Sequence, residues 1–259
     1  MLYAEASGRG PDLVLVHGWG MHGGVWGGWA RRLGESFRVT AVDLPGHGGS
    51  VYAGQAQLGE WAAQVLEVAP RWAWWVGWSL GGLVALEAAC QAPHRLRGVV
   101  LMAATPKFVI SGDWTAAVPA EVFRQFARQL AEDPDRTLSR FLALQVRGAE
   151  GGGETLRRLR SALRGRRGAD RAALCAGLGF LQDADMRRSM RASGLPVYWL
   201  LGERDTLIPV GVKDGFAELP SALIAGAGHA PFLSHPVECS RQLCQWLLPD
   251  AEQARNAAR

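Results

Sequence analysis

Trp72-Ala73-Trp74-Trp75-Val76-Gly77-Trp78-Ser79-Leu80-Gly81-Gly82-Leu83-Val84-Ala85-Leu86-Glu87 is the stretch whose reading decides the fold. The apolar run up to Gly77 predicts a buried strand, and the spacing over 80–92 predicts a helix. Gly77-Trp78-Ser79-Leu80-Gly81 lies between them and has the form G-x-S-x-G. The pentapeptide alone arises by chance in many chains. With a strand before it and a helix after it, it reads as a nucleophile elbow, a turn that strains the serine and exposes its hydroxyl. The flanking glycines then supply room that side chains would fill. The bland alternative is an ordinary glycine-flanked turn with nothing to catalyse.

Outward from the elbow, short apolar runs at 13–16, 37–42 and 99–103 read as further buried strands, with a helix over 58–69. Such alternation predicts a mostly parallel, twisted sheet flanked by helices on both faces, an α/β fold. Residues 1–11 are too weakly patterned to specify, though they leave room for a hairpin before Leu13. From 108 to 193 strand signals vanish. Helices are expected near 119–132, 134–147, 154–165 and 170–191, with Gly151-Gly152-Gly153 as a flexible joint. Strands return at 197–201 and, more weakly, at 222–225. A closing helix spans 235–248, and the tail past Pro249 reads as frayed. The expected organisation is one core domain from 1–107 and 194–259, with a helical cap inserted at 108–193.

A serine hydroxyl needs a base to take its proton. On an elbow of this kind the partners follow in the order Ser, Asp or Glu, His, which leaves only His229 and His235 of six histidines. His229 sits in Gly226-Ala227-Gly228-His229-Ala230-Pro231, a small-residue loop after the last strand, and is preferred. His235 precedes Pro236 and looks like a helix start. For the acid, the segment after strand 197–201 offers Glu203 and Asp205. Asp205 leads into a return loop and is preferred, with Asp113 a weaker alternative. Asp43 precedes the serine and is expected to bond loop amides instead. An oxyanion hole would combine the Leu80 amide with one from His17-Gly18-Trp19-Gly20, that of Trp19. Of the 11 tryptophans, Trp72, Trp74 and Trp75 are expected in the core. Trp19 and Trp78 flank the catalytic loops and are expected to wall an acyl pocket.

Composition narrows the class further. At 259 residues and 48% hydrophobic content, one sizeable core is expected. No apolar run approaches the roughly 18 residues a membrane span needs. The N-terminus lacks the pattern of a signal peptide, and the four cysteines show neither zinc spacing nor a disulfide framework. A cytoplasmic, monomeric protein without metal or cofactor is the expectation. The net charge of +4 is concentrated in one segment. Between Arg136 and Arg171, ten arginines face three acids, a balance of +7, while the remainder carries 18 basic and 21 acidic residues. No nucleic-acid motif accompanies the charge, and a solvated helix face in an arginine-rich chain is the bland account of it.

His17-Gly18-Trp19-Gly20, Asp43-Leu44-Pro45-Gly46, the elbow, Arg140-Phe141-Leu142-Ala143-Leu144-Gln145 and His229-Ala230-Pro231-Phe232 together resemble the pimeloyl-[acyl-carrier protein] methyl ester esterases of biotin synthesis. The resemblance runs over nearly the whole chain and implies the α/β-hydrolase fold. It implies hydrolysis of a methyl pimeloyl ester carried on acyl carrier protein, releasing methanol. Substrate-binding positions carry over to Trp19, Leu80, Phe141, Leu142, Ala143, Leu144 and Gln145. Carrier-protein contacts fall on Arg136 and Arg140, and more loosely on Arg157 and Arg160, because the three glycines at 151–153 depart from the pattern. A general short-chain carboxylesterase, another α/β hydrolase, or a non-catalytic ligand receptor on the same fold are the alternatives.

Overall fold

The computed structural model describes residues 1–248. Seven strands form one sheet: β1 (Ala4–Gly8), β2 (Asp12–Val16), β3 (Arg38–Val42), β4 (Ala73–Trp78), β5 (Leu96–Met102), β6 (Val197–Gly202) and β7 (Ser221–Ile224), in the order β1-β3-β2-β4-β5-β6-β7. All neighbours pair in parallel except β1, which runs antiparallel to β3. The segment before Leu13 therefore makes no hairpin with β2. It crosses to the far side of β3, where Ala4 stands opposite Val42 and Gly8 opposite Arg38.

The central strands read as continuous apolar runs because both faces are covered. Val14, Val16, Trp75, Val99 and Leu101 face one layer, built on α2 (Leu58–Val68) and α3 (Leu80–Gln91). Leu13, Leu15, Val76, Val100 and Met102 face the other, built on α1 (Gly27–Leu33) and α10 (Pro236–Leu247). Successive side chains thus alternate between two cores, as the two-residue period of a strand requires. A one-turn helix, α9 (Pro231–Ser234), precedes α10.

Five helices lie between β5 and β6: α4 (Ala120–Glu132), α5 (Pro134–Gln145), α6 (Gly152–Arg164), α7 (Arg171–Asp183) and α8 (Arg187–Ala192). The single helix expected over 170–191 is broken at 184–186. There Asp185 bridges to Lys107 at backbone and side chain, and the Met186 amide bonds the Pro106 carbonyl. Pairing with the chain leaving β5 takes these residues out of the helix. The three glycines are not a joint: Gly151 caps α6 with φ 61°, and Gly152 and Gly153 form its first turn. Of the three tryptophans assigned to the core before the elbow, only Trp75 is fully buried. Trp74 is half-buried, and Trp72 is 53% exposed beside Arg97. The tail read as frayed lies outside the described residues.

Candidate active site

Ser79 occupies the turn from β4 into α3 with φ 54° and ψ −120°, a strained conformation for a residue with a Cβ. The strain is imposed by close packing on either side. A Cβ at Gly77 would run into the Gly81 carbonyl, and one at Gly81 would run into the Val16 carbonyl. The sequence reading of both glycines as steric requirements holds.

His229 lies in the loop after β7. Its Nδ1 is 2.8 Å from Asp205 Oδ2, both side chains being buried. The other carboxylate oxygen, Oδ1, accepts the amides of Leu207 (2.8 Å) and Ile208 (3.0 Å). The return loop after β6 therefore fixes the carboxylate, and the carboxylate fixes the ring. The backbone of His229 is held from two sides: its amide donates to the Gln145 carbonyl of α5, and its carbonyl accepts Trp78 Nε1–H at 2.7 Å. With Nδ1 facing the carboxylate, Nε2 is buried without a partner among the described residues. Among the described residues, Ser79 and His229 are the only polar residues lining an apolar cavity. Its walls include Phe108, Phe123, Phe126, Phe141, Leu178 and Leu181.

The rejected candidates are engaged elsewhere. His235 caps α10 and its Nδ1 meets Ser234 Oγ. Glu203 accepts the Gly226 amide, and Asp113 pairs with Ser111 and Arg187 at the surface. Asp43 bonds loop amides as expected, taking those of Gly23 and Gly49, and also receives Arg166 from the loop after α6. Burial holds His17 well below the usual imidazole range, lowers His22, and pushes His47 down to about 4.

The amides of Trp19 and Leu80 donate to no acceptor among the described residues. The indoles are another matter. Trp19 is buried behind the cavity wall, with Nε1 on the Leu174 carbonyl and its ring edge-on to Phe141. Trp78 points to the opposite core against Trp26 and Phe232. Neither lines the cavity, so the acyl-wall expectation is corrected for both. For Trp78 the alternation of β4 explains it, because the residue before Ser79 ends the strand and its side chain falls on the far face, whereas Trp19 is held by the Leu174 carbonyl of α7.

Residues 141–145 divide by helical rotation, roughly 100° per residue. Phe141 lines the cavity, Leu142 is buried in the far core, and Ala143 and Leu144 line an outer groove with Arg140 and Arg147. Gln145 is buried with both side-chain amide atoms unpartnered among the described residues. Sequence reasoning missed the cavity walls on α4 and α7. Phe123 and Phe126 lie three apart, as do Leu178 and Leu181, a spacing that any core-facing helix shares. Among the described residues no cluster of three His, Cys, Asp or Glu side chains is placed to hold a metal ion, and no helix is long and apolar enough to cross a membrane.

This strand-serine-helix elbow on a parallel sheet finds its counterpart in known proteins. The model of the Alpha/beta hydrolase family matches residues 13–242. A pimeloyl-[acyl-carrier protein] methyl ester esterase from Methylococcus capsulatus is 44% identical over 250 residues, covering 95% of this chain and 98% of that protein. The chain belongs to this family of α/β hydrolases. A second family member, from Stenotrophomonas maltophilia, is 43% identical over 246 residues, covering 93% of this chain and 95% of that one. Among solved structures, an esterase from Exiguobacterium antarcticum superposes with a TM-score of 0.81 at 19% identity, covering 95% of this chain and 94% of that one. That likeness establishes the fold. As a member of this esterase family the chain is a carboxylic ester hydrolase.

Proposed function

We propose that Ser79, His229 and Asp205 form a catalytic triad that hydrolyses the methyl ester of a pimeloyl chain carried on acyl carrier protein, the substrate in the names of the relatives. The observation that carries the proposal is the buried Asp205–His229 pair, whose free Nε2 shares an apolar cavity with Ser79.

Ser79 Oγ attacks the ester carbonyl while His229 Nε2 takes its proton. The oxyanion of the tetrahedral intermediate is received by the amides of Trp19 and Leu80. Collapse breaks the bond to the methoxy oxygen, which takes the proton from His229 and leaves as methanol. Water, deprotonated by the same nitrogen, then cleaves the acyl-enzyme to the free acid and restores Ser79. Asp205 holds the ring tautomer and stabilises the imidazolium. An apolar cavity suits this substrate. Methylation hides the charge of the chain's terminal carboxyl, and an uncompensated carboxylate is costly to bury. Hydrolysis creates that charge, which favours release.

In this reading the insertion at 108–193 is a cap over a core of 1–107 and 194–259. Arg136, Arg140, Arg157 and Arg160 are all exposed on it. Arg136 and Arg140 stand four apart on one face of α5, and the groove that Arg140 lines shares Val122 and Phe126 with the Ser79 cavity. A carrier seated on these arginines would thus deliver its acyl arm beside the serine. Arg147, which sequence reasoning did not single out, lines the same groove. Arg157 is paired with Glu154 and so is less available. The protein would meet the carrier in the cytoplasm as a monomer.

The test is to incubate the protein with methyl pimeloyl-carrier protein and assay methanol and the free acid. Formation of both, abolished in Ser79→Ala, is expected. Turnover of nitrophenyl esters with none of the carrier-bound ester would reduce the reading to a general esterase.

A further inference from the structure

We propose that His17 is a positioning residue that aims the Trp19 amide at the substrate oxygen, by holding the Gly18 carbonyl on the opposite side of the same peptide plane. The proposal rests on the reading of Ser79 as nucleophile and of the Trp19 amide as an oxyanion donor.

His17 follows directly on the last residue of β2 and is completely buried. Its Nε2 lies 2.9 Å from the Leu44 amide, which can only donate. That nitrogen therefore carries no proton, and the neutral ring has its hydrogen on Nδ1. Nδ1 is 2.9 Å from the Gly18 carbonyl oxygen, and so it donates there. The tautomer is dictated by the Leu44 amide.

The Gly18 carbonyl and the Trp19 N–H belong to one planar trans peptide and point in opposite directions. Fixing the first fixes the second. A second donor, the Met21 amide, reaches the same oxygen at 3.2 Å. The peptide lies against the nucleophile: a Cβ at Gly18 would sit 3.2 Å from Ser79 Cβ. Buried amides are almost always paired, yet that of Trp19, a residue 1% exposed, has no acceptor among the described residues. The loop thus spends two donors on turning one carbonyl away from the site and leaves the amide behind it free.

The ring is itself anchored. Leu44 follows Asp43, whose carboxylate is fixed by the Gly23 and Gly49 amides and by Arg166. The His47 ring packs against His17 at 5.2 Å between centroids. Burial keeps the His17 imidazole neutral, so Nε2 remains an acceptor through the neutral range.

The experiment compares His17→Leu, which can make neither bond, with His17→Gln, whose amide can accept from Leu44 and donate to Gly18. Both are assayed with a nitrophenyl ester and titrated with an alkyl boronic acid, a mimic of the tetrahedral intermediate. An interaction made only in the transition state lowers kcat while leaving KM. His17→Leu should lose about 10- to 100-fold in kcat with KM within about twofold, somewhat less than removal of a donor outright. Boronate affinity should fall by the same factor, and His17→Gln should recover most of both. Loss of kcat with boronate affinity unchanged would assign His17 a merely structural role and overturn the proposal, as would a folded His17→Leu with wild-type kcat. Should His17→Leu not fold, ¹⁵N spectra of histidine-labelled wild-type protein decide: an Nδ1–H tautomer at His17 is expected, and an Nε2–H tautomer overturns the proposal. Full turnover by Ser79→Ala would sink the reading of the site itself, whereas loss there with none in His17→Leu sinks this proposal alone.

Discussion

Ser79 carries a backbone conformation that costs roughly 1–3 kcal/mol, and only its hydroxyl justifies that cost. Alanine keeps the Cβ and therefore the strain, so Ser79→Ala should melt within a few degrees of wild type while losing at least about 10⁴-fold in kcat. His229→Ala should be almost as severe, and the double variant no worse than either, because the two act as one unit. Steady-state kinetics beside thermal unfolding separate these outcomes from misfolding, and substantial hydrolysis by folded Ser79→Ala would refute the triad. A second prediction concerns histidines outside the proposed triad. His47 titrates near 4 when folded, because burial penalises its charged form, against about 6.5 in an unfolded chain. The unfolded state therefore binds the proton first as pH drops. The stability contributed by the neutral ring is complete above about pH 6.5 and is lost as pH falls toward 4, at up to about 1.4 kcal/mol per pH unit. Buried His17 and His22 shift in the same direction. Urea unfolding between pH 7 and 4 should show this slope, and His47→Gln should make it shallower.

At the scale of elements, α5 shows how one helix serves several surfaces. Asp133 caps it by accepting the Arg136 amide, and Pro134 starts it where no amide is needed. Its inward face puts Phe141 in the cavity, its last carbonyl takes the His229 amide, and its outward face presents Arg136 and Arg140. If that outward face docks an acidic carrier protein, attraction between exposed charges should be screened as the Debye length shrinks from about 10 Å at 0.1 M salt to about 3 Å at 1 M. The expected result is a rise in KM for carrier-bound ester with salt, and in the Arg136→Glu, Arg140→Glu double variant, with little change for a nitrophenyl ester. Assaying both substrates across salt checks this. Equal losses on the two would mean that the arginines support the helix or the cavity. Arg157→Glu should weaken carrier turnover less, since Glu154 already occupies that side chain.

Across the whole molecule, the insertion is tied down at both ends and in the middle. Lys107, Asp185 and Arg187 clasp the chain near where it leaves β5 and where it starts back toward β6. Arg166 reaches back to the fully buried Asp43 and to Glu5 on β1, with Tyr3 under its guanidinium. Asp43 keeps its two amide donors without that arginine, so the loss is partial. Arg166→Met should destabilise the protein by about 1–3 kcal/mol, the range for leaving a buried polar group short of one partner. Thermal unfolding measures it, and an unchanged melting temperature would mean that the contact contributes nothing net. Because Asp43 also fixes the loop that carries Leu44, activity should fall with stability in this variant.

What the sequence determined by itself was local: strand-to-helix order around Gly77 to Gly81, the glycine-flanked turn at Ser79, the pairing of Asp205 with His229, and the α/β class. Each depends on turn geometry or on hydrophobic period, which a few neighbouring residues dictate. The sequence even assigned Asp43 to loop amides. Only the tertiary structure decided which side of a wall each side chain reaches. Trp19 and Trp78 lie beside Gly18 and Ser79 in sequence, yet the alternation of β4 and the packing of α7 send both indoles away from the cavity. Phe123, Phe126 and Leu178 line it instead, although nothing in their spacing distinguishes a cavity wall from a core. The break at 184–186 arises from a partner almost eighty positions away, Lys107. The tautomer of His17 likewise depends on the Leu44 amide, which no local pattern brings to it. Such features depend on groups distant in the chain meeting at one point, and hydrophobic period carries no information about which distant group arrives.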